Sequence, residues 1–83
     1  MSNLLHLEII SPTGVLFKGA CEMAVIPSTE GEIGVMHGHE SIIVNLKPGR
    51  VSIYGNKGQL VKYFDVDGGF AEQSSEKLLI LAS

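Results

Sequence analysis

Residues 41–66 read Ser-Ile-Ile-Val-Asn-Leu-Lys-Pro-Gly-Arg-Val-Ser-Ile-Tyr-Gly-Asn-Lys-Gly-Gln-Leu-Val-Lys-Tyr-Phe-Asp-Val. Ile42, Val44 and Leu46 fall on one side of an extended chain and Ile43 and Asn45 on the other, the period of two that marks a half-buried strand. Lys47-Pro48-Gly49 reads as a turn. Val51 and Ile53 then alternate with Arg50, Ser52 and Tyr54. Gly55-Asn56-Lys57-Gly58 reads as a hairpin loop, because Asn and Gly accept the positive φ that tight hairpins demand. Leu60 to Val66 returns as a strand rich in β-branched and aromatic residues.

The same alternation runs outward in both directions. Leu5, Leu7 and Ile9 alternate with His6 and Glu8. Ser11-Pro12-Thr13-Gly14 is a turn signal, and Val15-Leu16-Phe17 resumes the apolar run, so a hairpin is expected. From Lys18 to Ile26, Cys21, Met23 and Val25 form one apolar row, and Pro27 is expected to end that strand. Gly68-Gly69 reads as a bulge or corner before Phe70, and Leu78 to Ala82 is the closing strand. No segment holds helical spacing. Many short strands with close turn signals give an all-β sandwich or barrel, organised as one domain over residues 1–83.

Composition narrows the function classes. A chain of 83 residues with 45% hydrophobic residues and a net charge of −3 is globular, with a thin core that docking on a larger partner would reinforce. Six scattered basic residues and no tryptophan argue against nucleic acid. No apolar run approaches the roughly 18 residues needed to cross a bilayer, and the N-terminus lacks signal-peptide regions. A soluble, unsecreted chain is expected. The lone Cys21 cannot form an internal disulfide, which suits a reducing compartment and a small core residue.

Candidate chemistry concentrates in residues 26–39, Ile-Pro-Ser-Thr-Glu-Gly-Glu-Ile-Gly-Val-Met-His-Gly-His, where Gly31, Gly34 and Gly38 imply a compact shaped loop. His37 and His39 could contribute to a metal site, and the spacing resembles the start of the cupin motif. That motif wants an acid where Ile43 and Val44 stand, and a third histidine. The glycines could cradle a phosphate, but no helix follows and Glu30, Glu32 and Glu40 repel anions. No serine, nor Cys21, lies in a nucleophile elbow. Binding is therefore the better general class, and no cofactor is expected.

The order of motifs adds a resemblance. Glu30-Gly31-Glu32-Ile33-Gly34, Gly38-His39, Lys47-Pro48-Gly49, Gly68-Gly69-Phe70 and Leu79-Ile80-Leu81-Ala82 stand as in the N-terminal domain of the epsilon subunit of rotary F-type ATP synthases, and Leu5 to Ser11 with Phe17 fits as well. The resemblance covers essentially the whole chain. It implies a small two-sheet antiparallel β-sandwich acting as a non-catalytic part of the central stalk, with the gamma subunit and the ring of c subunits as partners. Membrane association would come only through the complex, on the cytoplasmic face of a bacterial membrane or its organellar equivalent. Glu32 and His39 match positions implied to face the c ring, with Glu30, Gly31 and Gly38 shaping that loop.

Two departures matter. His37 stands where the family often has proline, which frees the local φ and adds an imidazole, so some pH sensitivity of docking is expected. Many members also continue into a C-terminal helical hairpin that inhibits ATP hydrolysis and sometimes binds ATP. These 83 residues hold no such hairpin, so neither property carries over. An unrelated β-sandwich interaction module and a cupin-like metal protein stand as alternatives.

Overall fold

The computed structural model describes residues 3–38 and 40–83, and among them every regular element apart from one short 3-10 turn is a strand. Seven strands form: β1 (Leu5–Ser11), β2 (Gly14–Cys21), β3 (Met23–Ser28), β4 (Gly31–Met36), β5 (Ile42–Tyr54), β6 (Leu60–Ser74) and β7 (Lys77–Ala82). Their hydrogen-bonded order is β2-β1-β7-β6-β5-β3-β4. All pairs are antiparallel except β1 with β7, which run parallel in register from His6–Lys77 to Ile10–Leu81. The all-β fold expected from alternation is what forms; the parallel pair is a long-range arrangement that no local turn signal encodes.

The sandwich arises because two long strands fold over. The first part of β5 pairs with the last part of β6, which pairs with β7, while Pro48–Tyr54 pairs back along Leu60–Asp67. At the crossover Leu46 faces Gly69 and Pro48 faces Asp67, with Lys47 and Gly68 outside the register. Lys47-Pro48-Gly49 is therefore a corner within β5 rather than a turn between strands. Gly68 and Gly69 carry φ of +105° and +124°, values an L side chain rarely adopts. A Cβ on Gly69 would also land on the carbonyl oxygen of Leu81. Folding brings the distant strands β2 and β6 together, where Phe17 and Phe64 meet edge to face with centroids 6.1 Å apart.

Pro27 does not end its strand. It lies inside β3, facing Glu32 of β4, where the pairing of β3 with β5 is irregular between Val25 and Ser28. A proline costs no ladder bond at such a break. Its ring packs against Gly49, where a Cβ would approach Pro27 Cβ to 2.8 Å. The apolar row expected from Lys18 to Ile26 is also split, because the chain breaks at Glu22 and the phase flips. Cys21 points inward from β2, whereas Ala24 and Ile26 are the buried residues of β3 and Met23 and Val25 turn to the outside.

The core is one cluster between the layers, led by Leu5, Leu7, Ile9, Ile26, Val51, Ile53, Leu78 and Ile80. Each large aliphatic side chain buried there contributes about 1.5–3 kcal/mol relative to exposure.

Candidate docking site

The segment expected to be a single glycine-rich loop is mostly strand. Thr29 and Glu30 form a tight tip between β3 and β4, and Gly31 to Met36 run back in unbroken register with β3. Gly31 takes φ of +126°, which closes the hairpin. Ser28, buried beneath the tip, accepts a hydrogen bond from Glu30 N at 2.9 Å, and Thr29 N donates to Asn45 O at 2.9 Å. The tip is thus pinned to β5, with the Glu30 and Glu32 side chains exposed at its edge.

Gly38 lies at the opposite end of β4, about 20 Å away for six residues of extended chain. The structure therefore brings Glu30, Gly31 and Glu32 together and separates Gly38 from them. His39 lies outside the described residues. Near Gly38, the β4–β5 connection is tied to the β6–β7 turn: Gly38 N donates to Ser75 O at 3.3 Å, and His37 Nε2 sits 3.4 Å from Glu76 Oε2. Buried Gln73 reinforces the node by donating from Nε2 to the same Ser75 carbonyl at 2.6 Å. His37 thus belongs to the end away from the acidic tip, which removes the geometric basis for its acting on contacts there.

Among the described residues, no three His, Cys, Asp or Glu side chains converge as metal ligands would. Cys21 is buried, and its thiol is pushed above the ordinary range first by that burial and then by the Glu22 carboxylate, against a smaller opposing hydrogen bond from the Met23 backbone. It is held as the protonated, unreactive thiol. Among the described residues, no helix is long and apolar enough to cross a membrane.

What the sequence reading missed is an outward apolar face on which Met36 of β4 and Tyr63 of β6 are exposed and Met23 and Val25 of β3 and Tyr54 of β5 are half-buried. The signal was present in the break at Glu22, whose half-buried carboxylate interrupts an otherwise apolar run.

The strands thus build a small all-β scaffold with charged side chains at a pinned hairpin tip and a partly exposed apolar face. The chain belongs to the family of ATP synthase delta/epsilon chain β-sandwich domains, whose family model matches residues 4–83. It is 38% identical over 82 residues to an ATP synthase epsilon chain of Parvibaculum lavamentivorans, covering 99% of this chain and 61% of that one. A Caulobacter vibrioides epsilon chain is 37% identical over 78 residues, covering 94% of this chain and 88% of the relative. The chain thus spans about three-fifths of the first relative's length and nearly all of the second's. In fold it matches a chain from the Euglena gracilis mitochondrial ATP synthase, OSCP/F1/c-ring in rotational state 1, with a TM-score of 0.87 at 23% identity over 99% of this chain and 52% of that one.

Proposed function

We propose that this chain is a non-catalytic rotor component of a proton-translocating F-type ATP synthase, joining a gamma subunit to the membrane c ring. The observation that carries the reading is membership of the delta/epsilon family together with the pinned tip, which holds two carboxylates at one end of a stiff hairpin. A rotor element must pass torque without yielding, and a continuous antiparallel hairpin tied back to β5 is stiff in that sense. Glu30 and Glu32, shaped by Gly31, face basic groups of the c-ring loops, where charge complementarity favours fast and specific docking. Gly38 shapes the opposite end of the domain. The chain acts by contact, makes no bonds of its own, and meets the membrane through the complex alone.

The test is co-purification of the chain with gamma, then of that pair with the c ring. Wild type is expected in both. Glu30→Ala/Glu32→Ala is expected to keep gamma and its melting temperature while losing roughly tenfold in ring affinity, about 1.4 kcal/mol. Equal ring binding by wild type and variant would remove the tip from the interface.

A further inference from the structure

We infer that this chain, when free of other partners, joins to further copies of itself head to tail, strand β2 of one copy lying antiparallel against strand β4 of the next, with Lys18 opposite Glu32. The inference goes beyond the rotor reading and does not depend on it. The hydrogen-bonded order begins at β2 and ends at β4, so each has a strand neighbour on one side only. Open edges of this kind are templates for another strand unless lysine, proline or a bulge blunts them. Here β4 holds neither lysine nor proline and runs in unbroken register with β3. β2 holds one lysine and one bulge, at Leu16, which falls between the Ile9–Phe17 and Ile10–Val15 pairs.

The two edges carry opposite charge. Lys18 is the only charged residue of β2, and Glu32 is the only one of β4. Both are exposed, and among the described residues neither enters an ion pair. Glu8, which stands across from Lys18, has its carboxylate turned to Lys77 at 3.8 Å. Setting β2 against β2, or β4 against β4, brings like charges close, whereas β2 against β4 pairs opposite ones.

The neighbouring positions fit the same register. With Lys18 opposite Glu32, Gly19 meets Gly31 and Phe17 meets Ile33, two side chains that each pack on their own core. Leu16, 39% exposed, falls opposite Gly34, over which the Met23 side chain lies. Inner faces thus continue into inner faces and outer into outer. The Phe17–Phe64 contact sets β2 beside the first part of β6, the strand of its layer farthest from β4, so the two edges lie on opposite flanks. A contact between unlike flanks does not close on two copies, and growth is open-ended. Because it takes up Glu32, an engaged chain withholds that carboxylate from the ring docking proposed above.

Sedimentation of the full 83-residue chain over a wide range of concentration tests the contact. The average mass of the wild type is expected to rise steadily above the 8.9 kDa monomer, with no plateau at a dimer, and to fall back as salt is added. Lys18→Glu and Glu32→Lys should each weaken association roughly tenfold. Both changes in one chain, or an equimolar mixture of the two single variants, should restore it. Circular dichroism checks that each variant is folded. Amide hydrogen exchange in the unmodified chain gives a second measurement, in which residues 16–19 and 31–34 are expected to slow as concentration rises. A wild type that stays monomeric, a closed dimer, single variants that associate as the wild type does, charge exchange without restoration, or exchange at those residues that ignores concentration overturns the contact. Binding to gamma and to the ring is measured separately, so none of these outcomes decides the rotor reading.

Discussion

Gly69 shows how much a single position decides. Its φ of +124° and its contact with the Leu81 carbonyl together forbid any side chain, whereas Gly14, at φ of +135°, has open space where a Cβ would stand. Positive φ costs a non-glycine residue about 1–2 kcal/mol, and overpacking adds about 1–3 kcal/mol more. Gly69→Ala is therefore expected to lower the melting temperature by roughly 10 °C or more, and Gly14→Ala by about half as much, using about 4–8 °C per kcal/mol for a domain of this size. Thermal denaturation followed by circular dichroism checks this, and equal shifts would mean that the Leu81 contact is not limiting. The Gly68-Gly69 pair was legible in sequence as a corner. The reason glycine is required twice over was not, because it depends on the β6–β7 pairing register, which sets Ala82 opposite Gly69.

At the scale of elements, what sequence made readable was alternation, and what it hid was which breaks are real. Leu5, Leu7 and Ile9 are buried as their period requires, as is Leu46 within β5. Lys47-Pro48-Gly49 and Pro27 look like stops, yet both sit inside strands at pairing irregularities where a missing N–H or a bend is tolerated. Glu22, which carries no turn residue, is the true break. The acidic tip was legible as a motif, but its separation from Gly38 was not, since a glycine-rich stretch and a hairpin strand share one composition. The β6–β7 turn supports a second prediction. Gln73 donates to Ser75 O, but its Oε1 is buried with no hydrogen-bond partner among the described residues. One neutral hydrogen bond contributes about 0.5–1.5 kcal/mol net, whereas an unpaired buried acceptor costs about 1–3 kcal/mol. Gln73→Leu should accordingly be neutral or up to about 1 kcal/mol stabilising in urea denaturation. A loss above about 2 kcal/mol would show that the amide is satisfied in solution.

For the molecule as a whole, a thin core lies beneath two kinds of surface, the charged tip and the partly exposed apolar face. The hairpin tip lies at one end of the domain, and the apolar side face runs to the other, where Met36 adjoins the His37–Glu76 pair, so tip and face are distinct surfaces of one body. That rigid-body role is the central claim, and site-specific cross-linking in the assembled synthase tests it most directly. Glu30→Cys and Asn56→Cys place single reactive thiols at the tip and in the exposed loop beyond Tyr54, with Cys21 buried in both. With a short bifunctional linker, Glu30→Cys is expected to join the c-ring loops and Asn56→Cys is not. Cross-links from Asn56→Cys alone, or from neither position, would contradict the account.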